Sequence, residues 1–177
     1  KLDAILADKA HYNIDKNILE AFMPTAAQED SMRKLCDMLG YNMKYYPNPF
    51  IPQRADPYVA KGPDNYYYFT ASYPAFMNVD AGYDRIILRK SDTVVGLATA
   101  EEITIWNAHN EGVMSKHVWA PEIHYIGGKW YVFFAAGEKE AIWNIRPFVL
   151  MCKGQDPMND EWVEMGKMQA SEGDERS

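Results

Sequence analysis

The stretch QRADPYVAKGPDNYYYFTAS, residues 53–72, sets one carboxylate, Asp56, at the head of an extended segment that turns into an aromatic strand. A carboxylate can act as a general base when it stays ionised within reach of a water in a polar pocket. An aspartate before proline also commonly opens a turn, and the residues alone leave both readings open. A second acid, Glu122, stands in VWAPEIHY, again ahead of a turn and an aromatic run. It could order a pocket floor through hydrogen bonds, or be a structural carboxylate with satisfied partners. Trp119 could stack on a sugar ring or pack as a core indole. His117 could hydrogen-bond a ligand hydroxyl or simply satisfy a loop. His124 turns to the other side of the strand by alternation. Arg54, two residues before Asp56, could bind substrate or pair with an acid.

Other chemistries lack their signatures. There is no P-loop, no GxGxxG after a strand, no HExxH and no GxSxG. Aspartates and glutamates are scattered without EF-hand spacing. Cys36 and Cys152 lie far apart and form no metal-ligand pattern, so no metal and no cofactor is expected from this chain. A net charge of −7 without a basic cluster argues against nucleic acid as a partner. The apolar runs are too short to cross a bilayer, so no membrane partner is expected. No signal peptide is visible and both cysteines read as free thiols, which favours a cytoplasmic location over secretion. The chain starts at Lys1 rather than at a methionine, as a processed chain or a fragment would.

Two unlike regions must position these groups. Residues 1–42 read as a helical N-terminal extension, either packed on the main domain or foreign to it. In PTAAQEDSMRKLCDMLG, Thr25 and Gln28 fit a capping box. Met32, Leu35, Cys36 and Leu39 then recur at helical spacing, and Gly40 is placed as a stop. From residue 43 onward short runs of Tyr, Val, Ile, Phe and Trp alternate with turn residues, an all-β texture. Strands are expected near residues 56–60, 66–72, 85–90, 103–106, 122–126, 129–136, 147–152 and 162–165. Trp106, Trp130 and Trp162 read as packing residues.

These strands repeat. YYYFTA at 66–71 matches YVFFAA at 131–136 without gaps, an offset of 65. The offset also sets Ala55 against Ala120 and the turn KGPDN against IGGKW, with the two acids one place apart. Each unit reads acid, strand, turn, aromatic strand and two further strands. Four strands per repeat is the pattern of a β-propeller blade. Closed propellers use about four to eight blades, whereas residues 48–177 hold two. Two blades alone would leave an apolar face and open edges. The remaining blades are therefore expected from a longer chain or from a second polypeptide.

NPFIPQRADPYV, RIILRKSDTVVGLATAEEITIW and SKHVWAPEIHYIGGKWYVFFAAG together resemble the opening blades of glycoside hydrolase family 43. The resemblance runs from about Asn48 to Met168. It implies a five-bladed β-propeller and the activities of that family: α-L-arabinofuranosidase, arabinanase or β-xylosidase. It implies inverting hydrolysis, here exo-acting release of L-arabinofuranose or D-xylose from plant oligosaccharides. It assigns Asp56 the role of general base. The family's proton-donating glutamate and pKa-tuning aspartate belong to motifs of later blades that this sequence does not contain. A calcium at the propeller axis would likewise take its ligand from a later blade. An inactive propeller that only binds carbohydrate or protein is the alternative.

Overall fold

The computed structural model describes residues 50–75 and 78–169, together with Ala27, Asp30, Ser31, Lys34 and Met38. The chain divides into two units, Lys1–Pro47 and Asn48–Ser177. In the first, the five described residues have helical backbone. Lys34 pairs with Asp30 one turn earlier at 2.7 Å, and Ser31 Oγ donates to the Ala27 carbonyl at 2.8 Å. The remainder of the helical segment expected over 1–42, including Thr25 and Gln28, lies outside the described residues.

The described part of the second unit is all-β, with one short 3-10 turn at Val95–Ala98. Strands β1 (Ala55–Lys61), β2 (Tyr67–Ser72), β5 (Arg85–Ser91) and β6 (Glu102–Asn107) form one antiparallel sheet in the order β1-β2-β5-β6. Strands β7 (Lys116–Ile126), β8 (Lys129–Glu138), β9 (Ala141–Cys152) and β10 (Trp162–Lys167) form a second, ordered β10-β9-β8-β7. All eight expected strands are present. A small hairpin, β3 (Pro74–Ala75) with β4 (Asn78–Gly82), interrupts the first sheet and was not legible in the sequence. Gly82 closes its open end opposite Pro74 at φ +78°, where a Cβ would come within 2.3 Å of the Ala75 nitrogen. The described residues form two four-stranded sheets with this small hairpin, and no closed propeller.

The two sheets share a core to which β8 contributes one face by alternation. In β8, Trp130, Val132, Phe134 and Ala136 are buried while Tyr131, Phe133 and Ala135 take the opposite face. The first set meets Tyr68, Ile86 and Leu88 of the first sheet in one core. Tyr68 packs on Trp130 with ring centroids 4.6 Å apart. Its hydroxyl donates to Asp64 Oδ2 at 2.8 Å, and burial pushes the phenol up to about 12. Trp106 and Trp162 pack against this core and Trp130 lies in it, as their sequence context suggests.

The repeat is real as architecture, but its residue matching needs correction. Lys61 pairs with Tyr67 across a five-residue turn, whereas Ile126 pairs with Lys129 across Gly127–Gly128 alone. The gapless offset of 65 therefore cannot hold in both strands of each hairpin. The two first strands share a bulge instead, between Ala55 and Tyr58 in β1 and between Trp119 and Glu122 in β7. This equates Asp56–Pro57 with Ala120–Pro121. Glu122 corresponds to Tyr58, so it does not occupy the position equivalent to Asp56.

Candidate active site

The first strands of the two sheets, β1 and β7, lie side by side, and their bulges shape the site. Asp56 and Ala120 each precede a proline, a position normally held to extended backbone. Both instead have positive φ, 48° and 45°. Tyr83 (φ 52°) and His117 (φ 52°) share this unusual conformation. Such outliers cost on the order of 1–3 kcal/mol each and collect at functional sites. The Asp56 residue is exposed, and its Oδ2 accepts a hydrogen bond from buried Ser72 Oγ at 2.9 Å. Ser72 Oγ in turn accepts from the Ala120 N–H at 2.7 Å.

An aromatic group extends from the second bulge. His117 stacks on Trp119 with centroids 4.5 Å apart and planes 14° from parallel. His117 Nδ1 lies 3.0 Å from the Ile142 carbonyl. Trp143 completes the group, 5.2 Å from His117 and 6.4 Å from Trp119. Tyr83 meets Trp119 edge-on at 6.1 Å, and its carbonyl accepts from the Val118 N–H at 2.9 Å. Trp143 is 74% exposed at the start of β9, so its indole faces solvent as a binding platform would. Tyr83 and Trp143 were missed in the sequence; neither sits in a recognisable motif, and only the fold brings them to Trp119.

Other expected residues lie elsewhere. Glu122 projects to solvent and accepts from His124 Nε2 at 3.2 Å. His124 leans on Tyr58 of β1, with ring centroids 5.2 Å apart. Arg54 resolves to the acid-pairing alternative. Its Nε donates to Glu102 Oε2 at 3.1 Å, its Nη2 donates to Glu102 Oε1, and its guanidinium lies 4.0 Å over the Tyr73 ring. Arg89 Nε joins the same carboxylate at 3.0 Å. This network anchors the chain just before Asp56. Among the described residues no three His, Cys, Asp or Glu side chains converge as a metal site.

The network carries a pH dependence. Burial works against ionised Glu102, but hydrogen bonds from Arg54 and Arg89 outweigh it and hold the carboxyl below its ordinary value of 4.5. A carboxyl depressed in the folded state stabilises the fold above its unfolded value, and that contribution is lost as pH falls through the folded one. Glu102→Gln is therefore expected to lower the thermal midpoint at pH 7 and to flatten its decline below pH 4.5. Melting curves from pH 7 to pH 3 check this. An unchanged acid limb in the variant would refute it.

Comparison with known proteins settles the family. The model for glycosyl hydrolases family 43 matches residues 46–176. The chain belongs to this family. The family 43 chain is 50% identical over 123 residues to an extracellular exo-α-(1→5)-L-arabinofuranosidase of Streptomyces avermitilis, covering 70% of the chain and 24% of that protein. It is 48% identical over 126 residues to the enzyme of the same description from Streptomyces chartreusis, covering 71% and 36%. The crystal structure of an α-L-arabinofuranosidase from Lactobacillus brevis superposes with a TM-score of 0.60 at 44% identity, covering 70% of the chain and 39% of the other. The family 43 chain thus spans roughly a quarter to two fifths of the relatives it matches.

The names of the two Streptomyces relatives correct one expectation. Both are extracellular, which overturns the cytoplasmic location inferred from the absence of a visible signal and from free thiols. Cys152, the free cysteine among the described residues, is fully buried, and burial raises its thiol pKa. A shielded, protonated thiol is inert and says nothing of the compartment.

Proposed function

We propose that this chain supplies the general base and one aromatic wall of the active site of a secreted, exo-acting, inverting α-L-arabinofuranosidase. The observation that carries the proposal is the placement of the family's base position, Asp56, at a strained, exposed bulge joined through Ser72 to the strand of Trp119. In inverting hydrolysis Asp56 takes a proton from water as the water oxygen attacks the anomeric carbon. A carboxylic acid on the opposite face protonates the departing glycosidic oxygen, with the two carboxyls roughly 6.5–9.5 Å apart. That acid, the carboxylate that tunes it and the blades completing a five-bladed propeller come from outside these residues. The reaction needs no cofactor.

The substrate is an L-arabinofuranosyl oligosaccharide, as the names of the relatives suggest; D-xylosides are the competing class. Trp119 and His117 border the sugar that is cleaved, and Trp143 offers a stacking face to the next unit. Parallel assays on arabinofuranosides and xylosides test the substrate, and proton NMR of the first-formed sugar tests inversion. Preference for xylosides, or a retained anomer, would overturn the respective part. Trp143→Ala is expected to raise KM for oligosaccharides about 3- to 10-fold with little change in kcat. Aryl monosaccharide substrates, which do not reach this indole, should be unaffected.

A further inference from the structure

Ser72 ends β2 with 0% exposure, yet its hydroxyl touches both bulges of the site. The Ala120 N–H can only donate, so Ser72 Oγ is the acceptor in the 2.7 Å contact. A hydroxyl carries a single hydrogen, and that hydrogen is left for Asp56 Oδ2 at 2.9 Å. The direction of the relay is thereby fixed, from the second sheet through Ser72 to the carboxylate. Among the described residues Asp56 Oδ1 has no hydrogen-bond partner, which leaves it to face a water.

We infer that Ser72 is the positioning residue of the base, setting the Asp56 carboxylate relative to the strand that carries Trp119. The inference rests on the proposed role of Asp56. Without the hydroxyl, the exposed carboxylate is free to rotate about its Cα–Cβ and Cβ–Cγ bonds. The bulges of β1 and β7 also lose their direct side-chain link. Proton abstraction depends on geometry, and a misplacement of about 1 Å can cost on the order of 100-fold in rate. Substrate binding by the aromatic wall does not depend on the orientation of this carboxylate, so the loss belongs in kcat.

The test uses the hydrolase that carries this chain. Ser72→Ala is expected to lower kcat for an arabinofuranoside about 10- to 100-fold, with KM within about twofold of wild type. Ser72→Cys, close to isosteric and a weaker donor, is expected to fall between them, and it decides the matter if the alanine variant does not fold. Kinetic parameters are referred to folded protein measured by circular dichroism, so that lost stability is not counted as lost turnover. Near-wild-type kcat in both folded variants, with Asp56→Asn inactive, overturns the positioning role and leaves the base intact. Full activity of Asp56→Asn removes the base itself and this inference with it.

Discussion

Asp56→Asn is expected to lower kcat by about 10²- to 10⁴-fold, the usual contribution of a general base, while leaving the thermal midpoint unchanged. Asparagine keeps the size of the side chain and still accepts a hydrogen bond from Ser72, but its amide cannot take a proton from water. The fold has little to lose. Asp56 is exposed, and its φ of 48° lies in the left-handed region that asparagine tolerates well. Asp56→Ala should be equally inactive but less stable, because alanine gives up the contact with Ser72 and is poorly suited to that backbone. Initial rates with circular dichroism on both variants check this. An asparagine variant within tenfold of wild type would mean that Asp56 serves the turn and another group is the base.

The strands were legible because their residue types and flanking turns mark them. Tyr66–Ser72 and Lys129–Ala136 carry aromatic and β-branched residues between turn signals, and both became second strands of four-stranded sheets. The relative register of the two units was not legible. Matching letters gave an offset of 65, but pairing depends on turn length, and Gly127–Gly128 is three residues shorter than Gly62–Tyr66. The shared element is the pre-proline bulge, which sequence similarity passed over because its residues are Asp56 in one copy and Ala120 in the other. For the same reason Glu122 drew attention that belonged to Ser72. A buried serine at a strand end carries no sequence signal, and its meaning comes only from the two contacts that the fold creates. Trp143 was missed because a tryptophan in EAIWNI reads like any packing residue until its exposure is known.

The isolated 177-residue chain is expected to give no turnover on an unactivated arabino-oligosaccharide, while the protein that carries it together with the missing carboxylates is active. A base alone can ready a water, but cleavage of an alkyl glycoside also needs protonation of a poor leaving group. Among the described residues no second carboxylate joins Asp56. Several acids of the first sheet are committed elsewhere: Asp64 to Lys90 and Tyr68, Asp84 to Arg85, and Glu102 to Arg54 and Arg89. The outer face of the second sheet adds a physical reason. Tyr131, Phe133 and Ala135 on β8, with Val149 on β9 and Met165 on β10, leave apolar surface that no described element covers. Such a face calls for another layer, so the isolated chain should also self-associate. An aryl arabinofuranoside is the sharper second substrate, since its good leaving group lessens the need for an acid. Weak turnover of that substrate alone, lost in Asp56→Asn, would show the base acting without its partner. Turnover of the oligosaccharide by the monomeric chain would place the proton donor within these residues and overturn the division of the site proposed above. Binding of arabino-oligosaccharides without hydrolysis, even by the completed protein, would favour the carbohydrate-binding alternative.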